Sequence, residues 1–267
     1  MNSIVKVQWK NSSEQNHSSN GVSNSHRTGE GCDGWKAHLL LAGPDGFEKR
    51  GLQPGRKVSF EVTDERRCTG YAPSPGERAP CPEFRKLESG SQCSECRGKD
   101  IYSDYVRGDT QTDLDGDFSV YLAQIGKEVK VGVTRSEKIP KRWIEQGADY
   151  GAEILSGLSS KVALENEQDI SSNGVTERIR KERKVVDPEQ PEALQEVMEE
   201  HGYEAEIVDV NSLTVYDHLS GDFKRKGLFQ GEIQSVKGQI LGNGRMALAM
   251  TSGKVLKKPD QKGLDSF

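Results

Sequence analysis

The stretch Val120-Tyr-Leu-Ala-Gln-Ile-Gly-Lys-Glu-Val-Lys-Val-Gly-Val-Thr134 restricts the folds open to this 267-residue chain more than any other. Two short apolar runs of β-forming residues meet at Ile-Gly-Lys, which predicts two strands joined by a tight turn. Arg135 follows at once, and a run with apolar residues at helical spacing then carries Arg142. The hairpin sets Tyr121 on one strand and Lys130 on the next, so a phenol, an ammonium and guanidinium groups gather in space. A phosphodiester suits that grouping better than most substrates.

The expected elements on either side build an α+β chain. Ile4–Trp9 alternates apolar and polar residues and predicts a strand, Trp35–Leu41 predicts a second that completes a hairpin with it, and Val58–Val62 predicts a third. Residues 11–34, rich in Ser, Asn and Gly, are expected to form a disordered insert or long loop. After the 120–134 hairpin come a helix over Ile139–Gly147, a strand over Ala152–Leu158 and a helix running from a Ser159 or Ser160 cap to about Ile170. Pro188 near the first turn and Gly202 past the end frame another helix over 187–201. From Glu204 to Val255 the pattern returns to β: Glu206–Val210, Ser212–Tyr216, Gly231–Val236, Gly238–Leu241 and Arg245–Met250, with a turn at Gly242-Asn-Gly-Arg. The final dozen residues read as a frayed polar end. The division expected is a β region over 1–60, a Cys-rich segment over 61–112, an α+β unit over 113–186, and a helix plus β region over 187–267.

Composition narrows the function. Apolar residues make up 33% and charged residues 30%, which describes a globular but core-poor chain. The formal net charge of −5 gives no overall attraction to nucleic acid, so any basic surface is local. No apolar run approaches the roughly 20 residues of a membrane helix. The N-terminus has no signal-peptide pattern, and a reducing, cytoplasmic location is expected. Four of the five cysteines, Cys68, Cys81, Cys93 and Cys96, fall within 29 residues. Clustered thiols in a reducing compartment bind metal more often than they form disulfides. Cys93-Ser-Glu-Cys96 has the spacing of a zinc knuckle, and with Cys68 and Cys81 it completes a four-thiolate site with no open position, hence a structural zinc. A redox Cys-x-x-Cys with two bystanders is the alternative. Cys32 stands apart from the cluster.

Val120-Tyr-Leu-Ala and Val129-Lys-Val-Gly-Val-Thr resemble the two motifs of the GIY-YIG nuclease superfamily, in the branch whose second motif reads Lys-Ile-Gly-x-Thr. The resemblance implies a small sheet with flanking helices, preceded here by the Cys-rich segment and flanked by β-rich ends. It also implies an arginine on the following helix, which Arg142 matches, and a metal-binding glutamate on the next, for which Glu165 is suitably placed. In that reading Glu165 holds one magnesium or manganese ion and Arg142 clamps phosphoryl oxygens. Tyr121 orients or deprotonates the water, and Lys130, its pKa lowered by Arg135 or by burial, replaces a second tyrosine as base. Lys130 stands where nuclease members commonly carry Tyr, and Gln146 where many carry His; either change could abolish catalysis while leaving phosphate binding intact. A narrower resemblance runs through Arg67-Cys-Thr-Gly-Tyr, Gln92-Cys-Ser-Glu-Cys, Lys130-Val-Gly-Val-Thr, Arg142-Trp-Ile-Glu-Gln-Gly-Ala and Val236-Lys-Gly-Gln-Ile-Leu. These segments, in this order, look like a prokaryotic family of unknown function in which a cysteine cluster precedes a GIY-YIG-like region.

Local charge points the same way. Residues 120–147 carry six Lys/Arg against three Asp/Glu, and 178–184 adds five against one. Lys141, Arg178, Arg180, Lys181, Arg183 and Lys184 are the candidate contacts to a nucleic-acid backbone. Three readings follow: a metal-dependent endonuclease acting on DNA or RNA, a catalytically silent nucleic-acid-binding module, and a structural or partner-binding protein on the same fold.

Overall fold

A computed structural model describes residues 1–11, 34–103 and 114–259. Cys32 and the expected insert, apart from Asn11 and Gly34, lie outside the described residues. The architecture is mixed α+β, with most of the regular structure in sheets.

The largest sheet joins both ends of the chain. Strands β1 (Asn2–Asn11), β2 (Trp35–Gly43), β3 (Gly46–Gly51) and β4 (Lys57–Arg67) come from its beginning, and β11 (Gly227–Glu232) and β15 (Lys254–Lys257) from much later. Their order is β11-β4-β15-β1-β2-β3, with β5 (Lys86–Leu87) paired to β4. The expected β1–β2 hairpin is present, in antiparallel register. The expected frayed end does not begin at Leu256: Leu256 and Lys257 belong to β15, which lies between β1 and β4, and residues 260–267 lie outside the described residues. Four residues flanked by lysines are too few for alternation to stand out.

A second sheet has the order β10 (Asp222–Lys224), β14 (Met246–Ala249), β13 (Ile240–Gly242), β12 (Ser235–Lys237). The Gly242-Asn-Gly-Arg turn closes its β13–β14 hairpin, and Asn243 Oδ1 accepts from the backbone N–H groups of Arg245 and Met246. The helices are short: α1 (Ser94–Gly98), α2 (Lys141–Gln146), α3 (Ser160–Ser172) and α4 (Glu192–Glu200). Among the described residues, no helix is long and apolar enough to cross a membrane.

The third sheet, β7 (Glu128–Arg135), β6 (Phe118–Ile125), β8 (Tyr150–Leu158), β9 (Val208–Asp209), holds the hairpin that the sequence predicts. Its inner strand β6 is buried at every position. Tyr121, Ala123 and Ile125 face a core shared with Ile4, Val7, Trp9 and Leu39 of the large sheet. Phe118, Val120 and Leu122 face a second core closed by α3 and α4. A strand buried on both faces must be apolar throughout, which is why β6 reads as a continuous run.

Two boundaries differ from expectation for identifiable reasons. Helix α4 starts after Pro191, not Pro188. Buried Gln124 fixes that start: its Nε2 donates to the Gln190 carbonyl at 2.7 Å, and its Oε1 accepts from the Leu194 N–H at 2.9 Å. Ser212–Tyr216 alternates but forms no strand, having only a single bridge from Thr214 to Trp35. The alternation reflects Tyr216, whose hydroxyl accepts from the Ala37 N–H at 2.8 Å and whose ring meets Trp9 edge-on at 5.4 Å.

Candidate metal centre and basic cleft

Each cysteine is delivered by a turn. The twelve residues between Cys68 and Cys81 double back because Tyr71 and Ala79 exchange backbone hydrogen bonds of 3.0 and 2.9 Å. The Phe84 N–H donates to the Cys81 carbonyl at 3.1 Å, and Phe84 takes a left-handed φ of 42° that redirects the chain. Cys93 caps α1, accepting from the Cys96 N–H at 3.5 Å, while its own N–H donates to Cys68 Sγ at 3.3 Å. The four buried sulfurs lie within 4.8 Å of one another, and none is in a disulfide. Around a tetrahedral zinc with Zn–S bonds of about 2.3 Å, sulfurs stand about 3.8 Å apart, so this cluster needs little adjustment to close on one ion. Burial pushes the Cys68 and Cys96 thiols up. At Cys93, burial is outweighed by the Cys96 N–H and the neighbouring sulfurs, which favour the thiolate. The donor set could hold a metal such as zinc, and four thiolates leave a tetrahedral ion no place for water.

The β6–β7 register determines what surrounds Tyr121. Tyr121 opposes Gly132 and Ala123 opposes Lys130, so Tyr121 and Lys130 are diagonal neighbours on one face. A Cβ at Gly132 would lie 2.5 Å from Tyr121 Oη and 2.6 Å from Cζ. The ring therefore lies across bare backbone, and its other side is core. Gly132→Ala is expected to cost about 1–3 kcal/mol through overpacking, seen as a lower urea midpoint at unchanged m. A midpoint equal to wild type would show that the ring has room to move.

The Tyr121 hydroxyl meets the Arg142 guanidinium, which α2 brings over the hairpin. Burial raises the Tyr121 pKa against the pull of Arg142. Burial, and then Arg142, lowers Lys130 to about 8. Lys130 Nζ donates to the Glu177 carbonyl at 2.6 Å. Glu167 completes the group: the Val133 N–H on the outer edge of β7 donates to it, and burial followed by Glu177 raises its pKa while Lys130 pulls it down.

Tyr121, Lys130 and Arg142 thus converge, whereas Glu165 and Arg135 do not. The inner face of α3 is Ala163, Glu167 and Ile170, at i, i+4 and i+7. Glu165 lies on the outer face, exposed and 4.0 Å from Lys161. Counting four residues on from apolar Ala163 is the sequence signal that selects Glu167. Arg135 sits at the far end of β7 with its guanidinium 5.4 Å over the Phe118 ring, so burial and Arg142, not Arg135, shift Lys130. Tyr121 is only 1% exposed, so its hydroxyl serves Arg142 and does not reach solvent.

Arg142 also faces a cleft of about 370 Å³ whose wall includes Lys6, Glu145, Lys181 and Lys184. Lys181 Nζ donates to Thr251 Oγ1 at 3.1 Å, Lys184 Nζ donates to the Gln146 carbonyl, and Arg142 holds Glu145 at 3.5 Å. Burial, then neighbouring cations, lowers Lys181 and Lys184 to about 8. Of the six candidate backbone contacts, these two face the cleft. Lys141 lies 5.9 Å over the Trp35 ring, Arg183 pairs with Glu128, and Arg178 and Arg180 are exposed away from this wall. Lys6 arrives from β1 and had no sequence signal of its own.

A four-cysteine centre and a basic cleft beside a Tyr-Arg-Lys-Glu group, of which Tyr121 and Lys130 are buried, on a mixed α+β scaffold, define the structural class. Residues 55–243 match the model of DUF2797, a protein family of unknown function, and the chain belongs to that family. No curated protein and no solved structure matches the chain.

Proposed function

We propose that the protein binds nucleic-acid phosphates in the cleft at Arg142, on a GIY-YIG-like hairpin unit, with zinc as the structural ion of the cysteine centre. The carrying observation is that Lys6, Lys181 and Lys184 line one cleft with Arg142 and form no ion pair among the described residues, the cleft's one carboxylate, Glu145, being held by Arg142. Gathering half-buried like charges is unfavourable until an anion enters between them. Arg142, steadied by Tyr121, offers a planar fork suited to phosphate.

Glu167 favours a second reading, metal-dependent cleavage of the same ligand. It would carry the magnesium or manganese ion that Glu165 cannot bring to the cluster, and Lys130 would hold a proton or release it near pH 8. The test is fluorescence binding and cleavage of labelled linear and branched nucleic acids with Mg²⁺ or Mn²⁺. Arg142→Ala is expected to weaken binding at least about 10-fold. Glu167→Gln should abolish any cleavage with binding intact, and Glu165→Ala should change neither. Binding that survives Arg142→Ala unchanged would remove the first reading, and cleavage that survives Glu167→Gln the second. Affinity should also depend on pH in a set direction: Lys181 and Lys184 are cationic below about pH 8 and neutral above it, so binding is strongest on the acid side and declines as pH rises past 8. Affinity that is flat from pH 6 to 9.5 would show that these lysines do not touch the ligand.

A further inference from the structure

A second cleft, of about 600 Å³, lies between β1 and the cysteine centre. Lys6 lines both this cleft and the one at Arg142, so the two meet at its side chain. The cysteine centre supplies the far wall: Arg97 comes from α1, and Arg78 from the hairpin that joins Cys68 to Cys81. Lys138, just ahead of α2, faces the same space. None of Lys6, Arg78, Arg97 and Lys138 has an ion-pair partner among the described residues, and Arg78 Nε is buried with no hydrogen-bond partner. Of the two carboxylates on this wall, Asp100 acts on Arg78 through its charge without an ion pair, and accepts from the Ala72 N–H, the Tyr102 N–H and the Gln92 amide. Glu77 accepts from Ser74. The row of cations therefore continues from Arg142 past Lys6 to the loops that carry the cysteines.

Resting on the phosphate-binding reading above, we infer that the ligand is a single nucleic-acid strand lying across both clefts, its backbone running from Arg142 and Lys184 over Lys6 to Arg78 and Arg97. A row of cations in a concave track is how proteins follow one strand, with bases free to stack on an aromatic such as Tyr102, which lines the second cleft. The cysteine centre then has a binding role, because its turns hold two of the cations.

The experiment compares labelled oligonucleotides of about 4 and about 12 nucleotides, and a 12-base-pair duplex, by fluorescence anisotropy across a salt series. Arg78→Gln and Arg97→Gln alter only the second cleft and each keeps a polar group, so both variants should fold. In the wild type the longer strand should bind at least about 10-fold more tightly than the shorter. In Arg78→Gln/Arg97→Gln that gain should vanish, with the slope of log K against log salt smaller by about 0.7 per cation removed. The short strand, held at Arg142, should bind the variant with no more than a few-fold loss. Equal affinity for short and long strands in the wild type, or a long-strand gain that survives in the variant, overturns the two-cleft track but leaves phosphate binding at Arg142 standing. A duplex bound as tightly as the single strand overturns the strand assignment. No binding to any of the three overturns both this inference and the reading on which it rests.

Discussion

Cys93→Ser protein is expected to bind no zinc where the wild type binds about one per chain, and to lose the ordered structure of residues 68–103 with it. Apparent binding energies of structural zinc in small modules reach about 10–16 kcal/mol, which exceeds what a small turn-rich segment gains from burial. The four cysteines form their own cluster, with only Tyr71 and Leu87 packed against it as partly buried hydrophobics. Among the described residues of the segment, only Ala72 and Phe84 are buried apolar side chains besides the cysteines. Loss should therefore appear first as proteolysis and fast amide exchange over 68–103, while the large sheet stays protected. The link to that sheet is β5, which pairs with β4 at Arg66 and Arg67, so the melting temperature should fall as well, by about 2–4 °C for each kcal/mol lost. Metal analysis of the purified wild type decides the premise: about one zinc per chain is expected, and a metal-free chain with the same protection would refute the centre.

The second large effect is expected at Lys237→Met. Lys237 Nζ lies 2.7 Å from Asp149 Oδ1, with side-chain exposures of 8% and 0%. The other carboxylate oxygen accepts from the Gly126 N–H at 2.8 Å. One buried pair thus ties the β6–β7 turn and the start of β8 to the second sheet. Next to it the backbones of two glycines touch: a Cβ at Gly238 would stand 3.0 Å from both the Glu145 carbonyl and the Gly147 nitrogen. Removing the ammonium leaves a buried carboxylate without its counter-charge, at a cost of about 3–5 kcal/mol. Lys237→Met/Asp149→Asn keeps the acceptor for Gly126 and removes the stranded charge, so it should recover most of that loss. Urea midpoints measure both. A single variant no less stable than the double would mean that the pair carries no such role. Because the junction also seats the C-terminal end of α2, the single variant should weaken phosphate binding through Arg142 without touching the ligand.

What the sequence disclosed follows from how far apart the interacting residues lie. Tyr121 and Lys130 were legible because a two-strand register fixes which side chains share a face. Arg142 was legible because α2 begins only a few residues beyond β7. The cysteines were legible from spacing, and the return path from Cys68 to Cys81 needed only a local hairpin. Glu167 was missed by one face of α3, a difference that depends on where the helix rests on its sheet and not on its composition. Lys6 and Lys237 could not be found from local pattern. Each is a lysine on a strand, which normally means a solvated position, and long-range pairing alone brings them to the cleft and to Asp149. Ser212–Tyr216 shows the converse, alternation without a partner strand.

The place of β15 has a bearing on how the protein is made. Asn2 pairs with Leu256, and Lys257 pairs with Glu61, so β15 inserts between two strands synthesised well before it. Until it emerges from the ribosome, β1 and β4 have unsatisfied edges facing each other, and their apolar faces lack a common floor. Assembly of the large sheet is therefore a late event governed by contacts between distant parts of the chain, and an intermediate with these edges open is where chaperones or self-association would act.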